Sequence, residues 1–334
     1  MLNFLVVLDE FYIFFDIEQT AKQKGGSPLK SVKTEQIRNL MTGAHGGSGK
    51  TSLAEAMLFS MGASNRIGAI DQGNTVSDYN EDEIERQISI NASLLHGEWN
   101  NHKINIIDTP GFMDFFGDVV SSAKVTDTVM ILVSAANGVE VGTEQVFNLA
   151  AKNDKPRMFV INKLDRENVN FDNVFEALKE DYGNHVVMTQ FPVEAGPNFF
   201  KVVDVIKNKV YSYDHDKSGK YTLEDIPADL QGKAEEIRNE LIESVAESDE
   251  ALMEKYFENG ELTPEEFSQG LKKAIASCEI FPVICTSATH NVGVQGLLDF
   301  VVENTPAPNE LPPVKDVDGN DIEAVVEATE RAVA

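Results

Sequence analysis

The sequence predicts a three-layer α/β fold, a mostly parallel sheet with helices on both faces and an α+β subdomain inserted late in the chain. Three observations carry this. From about residue 37, apolar runs of strand length alternate with amphipathic helical stretches, the pattern of a helix-covered parallel sheet. A glycine-rich turn, Ala44, His45, Gly46, Gly47, Ser48, Gly49, joins the first such run to the first helical one. An acidic block then interrupts the alternation, which resumes at Ile280. With 334 residues and 42% hydrophobic content, the chain can bury a sizeable core in one large domain or two smaller ones.

Residues 1–35 read as an appended segment. Its first seventeen residues are rich in apolar and aromatic side chains, but no cation precedes them and Asp9, Glu10 and Asp16 interrupt them. No uninterrupted stretch approaches the roughly 20 residues of a spanning helix, so neither export signal nor membrane anchor is expected. Strands are expected at 37–42, 88–95, 104–107, 128–133, 158–161 and 283–285, and helices at 50–61, 115–124, 143–152, 172–182 and 294–302. Asn100 and Asn101 read as the turn of an antiparallel hairpin at a sheet edge. The insertion is placed at about 190–280, with short strands over 199–213 followed by helices. One helix starts at Thr263, where Pro264 suits the first helical position and Glu266 completes a capping box. Pro306, Pro308, Pro312 and Pro313 mark an extended exit, which leaves 36–308 as the main domain and 309–334 as a tail.

Cys278 and Cys285 form neither a disulfide framework nor a zinc-type spacing, which fits a reducing cytoplasm. The formal net charge of −27 argues against a broad basic face for nucleic acid; DNA is not expected as a partner, and any RNA contact must be local. Between 221 and 271 fifteen Asp or Glu face three Lys or Arg. That run is either a solvated helical surface or a docking face for a basic partner.

Four strand-end elements point to chemistry. In the glycine-rich turn, Gly46, Gly47 and Gly49 let backbone amides approach a phosphate at a helix N-terminus. Ala44, His45 and Ser48 complete that loop. Lys50 would reach the β and γ phosphates, and the Thr51 hydroxyl would bind Mg²⁺. This is the phosphate loop of the P-loop NTPase fold, with Ala44 in place of the usual first glycine. Asp108, Thr109, Pro110, Gly111 follows an apolar strand; its carboxylate can hold Mg²⁺ through water and the Gly111 amide can bond a γ-phosphate. Asn162, Lys163, Leu164, Asp165 ends another strand. The Asp165 carboxylate can accept from guanine N1 and N2, which adenine cannot offer, while the Lys163 stem covers the base. Ser287 and Ala288 follow the last strand and could present an amide to guanine O6. Together these predict GTP and GDP binding with Mg²⁺.

From about Arg38 to Pro308 the chain resembles the GTPase domain of translational GTPases, and specifically that of elongation factor G and its paralogues. Gly138, Val139, Glu140 with Glu144, the extension through Arg166 and Glu167, and the insertion residues Glu224, Asp225, Ile226, Pro227, Ala228 and Asp229 carry the resemblance. It implies GTP hydrolysis on the ribosome, linked to translocation or recycling, with the stalk protein and large-subunit rRNA as partners and a monomeric, cytoplasmic protein. It gives Thr51, Ser89 and Asp108 to Mg²⁺ and makes Lys50, Ser89 and Gly111 the candidate catalytic groups. The loops 62–89 and 108–115 are expected to order around GTP and relax after hydrolysis. A GTP-dependent binding switch and a ribosomal protection protein are the alternatives.

Three departures from that family stand out. Arg86, Gln87, Ile88, Ser89 replaces its Arg-Gly-Ile-Thr, and Ser89 can still coordinate. Gly47 replaces a phosphate-loop aspartate. Phe112 replaces the histidine that positions the attacking water, and phenylalanine can neither donate, accept nor carry a proton. His45 is expected to have a local structural role. Family members also continue into a β-barrel and further domains, so the chain reads as the switch without the lever.

Overall fold

The computed structural model describes residues 3–8, 11–16 and 32–313. Two units separate, residues 1–34 with 312–334 and residues 35–311. In the first, β1 (Asn3–Leu8) pairs antiparallel with β2 (Phe11–Asp16), Leu8 opposite Phe11. The rest of the appended segment up to residue 31, and the tail from residue 314, lie outside the described residues.

The second unit is built on β3 (Ile37–Gly43), β4 (Ser93–Trp99), β5 (His102–Asp108), β6 (Thr128–Ser134), β7 (Arg157–Asn162), β8 (Val186–Met188) and β13 (Phe281–Cys285). They form one seven-stranded sheet in the order β4-β5-β3-β6-β7-β13-β8, with β4 antiparallel to β5 and every other pairing parallel. The mostly parallel α/β fold expected from the sequence is therefore present. Every residue of β6, β7 and β13 is buried, as continuous apolar runs must be when helices cover both faces. Edge strand β4 instead alternates buried and exposed residues. Asn100 and Asn101 have φ of 45° and 61°, the left-handed pair that a two-residue hairpin turn demands.

The helices are α1 (Lys50–Ser60), α2 (Glu81–Arg86), α3 (Phe116–Val125), α4 (Val141–Lys152), α5 (Phe171–Tyr182), α6 (Gln231–Glu247), α7 (Glu250–Asn259), α8 (Pro264–Ala276) and α9 (Val294–Asn304). Between β8 and β13 the chain leaves the main sheet. It forms a second, antiparallel sheet, β12 (Tyr221–Glu224), β11 (Lys209–Tyr213), β10 (Lys201–Asp204) and β9 (Gln190–Pro192), and then α6, α7 and α8. The capping box at the start of α8 is formed: Thr263 Oγ1 accepts from Glu266 N (3.2 Å) and Glu266 Oε2 accepts from Thr263 N (3.0 Å).

One strand expectation is corrected. Residues 88–92 are not strand, and β4 begins only at Ser93. The loop expected over 62–89 also contains α2, which ends at Gln87 in a left-handed conformation (φ 56°). The cause is Glu83, whose Oε1 accepts from both Ile90 N and Asn91 N at 3.0 Å. Those amides are spent on a buried carboxylate and cannot join a ladder.

A buried carboxylate also joins the second sheet to the first. Asp299 on α9 accepts from Trp99 Nε1 (2.9 Å), Asn100 Nδ2 (3.0 Å), Tyr211 Oη (3.0 Å) and Lys207 Nζ (3.2 Å). Removing it leaves the buried Tyr211 hydroxyl and the half-buried Trp99 indole without their acceptor, and leaves Lys207 paired with Glu303 alone. Asp299→Ala should lower stability by about 2–4 kcal/mol, measured by urea unfolding. The emission of Trp99, the single tryptophan, should shift to the red as the indole loses its anchor.

Candidate nucleotide site

All four predicted elements converge at the C-terminal ends of β3, β5 and β7 and just beyond β13, where open α/β sheets place their ligand sites. The loop from Ala44 to Gly49 leads from β3 into α1, and Lys50 and Thr51 are the first two residues of that helix. Gly49 caps the helix at φ 97°, and a Cβ there would lie 2.5 Å from Asn162 Nδ2. Conformation and space both demand glycine. Lys50 is almost fully buried, with Nζ 3.4 and 3.5 Å from the carbonyls of Ala44 and His45. Burial lowers its pKa to about 8, opposed by the nearby carboxylates of Asp108 and Asp78.

At the end of β5, Asp108 Oδ1 accepts from Thr42 Oγ1 (2.8 Å) and Oδ2 from Thr51 Oγ1 (2.8 Å). Burial raises the Asp108 pKa, against those hydroxyls and Lys50. Ser89 Oγ is 3.1 Å from Thr51 Oγ1. The three residues expected to serve Mg²⁺ are therefore gathered, all with hard oxygen donors as Mg²⁺ requires. Ser89 arrives there because Glu83 folds the chain after α2 back on itself. The donor set fits the ion.

Gly111 lies against the phosphate loop. A Cβ on it would fall 2.5 Å from Lys50 Nζ and 2.9 Å from Gly46 Cα, so only glycine allows this approach. Phe112 is 45% exposed. A Cβ on Gly46 would stand 3.4 Å from its Cζ, which places the ring over the loop. His45 accepts at Nδ1 from Gly142 N (3.4 Å), and its Nε2 is 3.8 Å from Glu140 Oε1. It braces the loop against the start of α4.

On the base side, Asn162 is committed to structure. Its Nδ2 donates to Ser48 O (3.0 Å), and its Oδ1 accepts from Ala288 N (3.0 Å) and Thr286 Oγ1 (3.3 Å). The Ala288 amide assigned to guanine O6 is thus held by Asn162. Ser287 Oγ donates to Asp165 Oδ1 (2.6 Å) and Thr289 Oγ1 to Oδ2 (3.4 Å). Lys163, at φ 64°, donates to Gly47 O (2.5 Å), laying its stem between the two loops. A cavity of about 570 Å³ opens here. It is lined by Ser134 at the end of β6 with Ala136 and Asn137 after it, by Lys163, Asp165, Arg166 and Glu167 after β7, and by Pro197.

The family profile of the elongation factor Tu GTP binding domain matches residues 35–307. The chain belongs to that family. Among solved structures, the crystal structure of ttk003000868 from Thermus thermophilus is similar, with a TM-score of 0.78 and 30% identity over 83% of this chain and 41% of that one. This chain spans about two-fifths of the length of that relative. The protein is accordingly a GTP-binding domain of the translational GTPase type, and its family is one of GTPases.

Three carboxylates of this elongation factor Tu type domain escaped the sequence reading. Glu55, on the buried face of α1, accepts from Gly68 N (2.9 Å) and Val76 N (2.5 Å) and fastens the loop after α1. Burial raises its pKa, against those amides. Glu83 is the second. Asp78 is the third, 5% exposed and pushed up to about 6 by burial, with Ser89 drawing it down and Asp108, Glu83 and Glu55 adding to the rise. A glutamate in the apolar run of α1 was a visible signal; nothing local marked Asp78.

Lys50 supplies a pH prediction. Its ammonium is the form that pairs with phosphate, and in the nucleotide-free domain it is fully charged only below pH 8. Between about 8 and the ordinary 10.5, binding must first restore the proton. Affinity for GDP should fall by up to about tenfold per pH unit above 8, with proton uptake on binding. Titration calorimetry in buffers of different ionisation enthalpy measures both.

Proposed function

We propose that the protein is the GTPase domain of an elongation factor G type translation factor, which hydrolyses GTP to GDP and phosphate on the ribosome to support translocation or recycling. The observation that carries this reading is the acidic insertion between β8 and β13, set beside the glycine-rich loop and the loops from Asp108 and Asn162 that converge on it; ordinary small GTPases lack that block. The domain division follows as 36–308, with the insertion at about 190–280. In this reading the protein works as a cytoplasmic monomer that meets the stalk protein and large-subunit rRNA.

The chemistry is phosphoryl transfer to water, dependent on positioning and charge stabilisation rather than on a covalent intermediate. Lys50 and the amides of the phosphate loop hold and neutralise the phosphates. The Gly111 amide bonds the γ-phosphate and reports its loss. Asp165 and Lys163 select guanine, with Ser287 holding the first and the Gly47 carbonyl the second. Thr51, Ser89 and Asp108 would hold Mg²⁺, which supplies charge neutralisation on the phosphate oxygens when bound.

The second reading is a GTP-dependent binding switch with little hydrolysis, and Phe112 favours it. Its ring covers Gly46 where a water-positioning group would be needed. Single-turnover hydrolysis with and without ribosomes separates the two readings. Phe112→His should raise the ribosome-stimulated rate by roughly tenfold or more while GTP affinity stays the same; an unchanged rate means that turnover is organised without this position.

Glu235, Glu236 and Glu240 are exposed on α6, and as a docking face they would meet a basic patch of the stalk. Changing all three to lysine should slow ribosome association by at least about tenfold at low salt and less at high salt. Stopped-flow association rates across a salt series test this, and salt-independent, unaltered rates would leave the acidic run as a solvated surface.

A further inference from the structure

The inserted sheet grips the base side of the nucleotide site. Gly196 N, in the loop between β9 and β10, donates to Leu164 O (2.7 Å), and the next residue, Pro197, lines the cavity beside Lys163 and Asp165. Phe200 follows and stacks on two histidines. Its ring centroid is 3.7 Å from that of His215, on the turn between β11 and β12, and 6.0 Å from that of His290, the latter pair only 6° from parallel. His290 stands at the tip of the loop after β13. Its Nδ1 is buried with no hydrogen-bond partner, so the face of the ring, not that nitrogen, holds it.

The neighbouring residue of the tip is held from the same turn. Asn291 is fully buried and left-handed (φ 54°). Its Nδ2 donates to Lys217 O (3.4 Å), while its Oδ1 accepts from Ser60 Oγ (3.2 Å) and Gln295 Nε2 (3.3 Å). A Cβ on Gly219 would fall 2.5 Å from Asn291 Nδ2, so turn and tip touch directly. These contacts end at the base-selecting carboxylate: His290 N donates to Ser287 Oγ (3.3 Å), and Ser287 Oγ donates to Asp165 Oδ1 (2.6 Å). A tip that slackens frees Ser287, and Asp165 loses the bond that fixes its plane.

We propose that Phe200, with the β11–β12 turn behind it, is a positioning residue for base recognition: the inserted sheet holds the His290–Asn291 tip so that Ser287 keeps Asp165 aimed at N1 and the 2-amino group of guanine. Selectivity for guanine over hypoxanthine, which lacks the 2-amino group, is then set in part by residues outside the base pocket. The proposal deepens the guanine nucleotide reading of the site and rests on it.

The test is competition of GDP and of inosine diphosphate against fluorescently labelled GDP on the full chain. Phe200→Ala should lower the preference for GDP over inosine diphosphate at least about fivefold, because the bond that weakens is the one to the 2-amino group. Phe200→Tyr, which keeps the ring, should hold the preference within about twofold of the unaltered chain. Phe257→Ala, at an aromatic residue of α7 that is 77% exposed, should leave it as it is. Equal weakening of both nucleotides, or an unchanged preference, in a Phe200→Ala variant of native circular dichroism overturns the proposal. Should that variant not fold, His215→Ala decides, since His215 is exposed: the preference should fall at least about twofold, and an unchanged one overturns the proposal. A chain that binds no labelled GDP at all sinks the functional reading instead.

Discussion

The site depends on the side-chain amide of Asn162. Its two ends reach the phosphate loop through Ser48 and the loop after β13 through Thr286 and Ala288. The phosphate loop and the loop after β13 are therefore fixed to one another by a single buried group at the end of a fully buried strand. The same group forbids any side chain at Gly49, so loop conformation, helix start and base pocket are set by one point of contact. Buried amides bonded at both ends are rigid anchors, which suits Asn162 to orientation more than to direct reading of the base.

A second layer of order comes from carboxylates turned inward. Glu55 and Glu83 bind backbone amides of the segment between α1 and β4, which has little apolar packing of its own, with Val76, Tyr79 and Ile84 exposed. Held by a few polar contacts, such a segment can open at modest free-energy cost. Asp108 ties β3, β5 and α1 through two threonines, so the immobile part of the site sits on the sheet and the movable part hangs from glutamates.

Much of this was legible in the sequence, and the physical reason is locality. The buried strands announce themselves as unbroken apolar runs, the Asn100 and Asn101 turn by residues that tolerate positive φ, and the phosphate loop by glycines before a Lys-Thr helix start. The strand expected at 88–95 failed because Ile88 and Ile90 alternate as a strand would, while the carboxylate that captures the amides of Ile90 and Asn91 lies earlier, in a helix. Asp78 was missed for a related reason. Acidic residues in a loop normally face water, whereas the fold buries this one and brings Asp108 and Ser89 to it from later in the chain.

The contact between Gly46 and Phe112 has an evolutionary consequence. A Cβ on residue 46 would meet the ring at 3.4 Å, an ordinary contact, so alanine fits there and only a larger side chain would compete with the ring for volume. A lineage that acquires a branched residue at position 46 must turn the half-exposed ring aside or shrink residue 112. Across relatives of this protein, large side chains at position 46 should therefore be found without phenylalanine at 112.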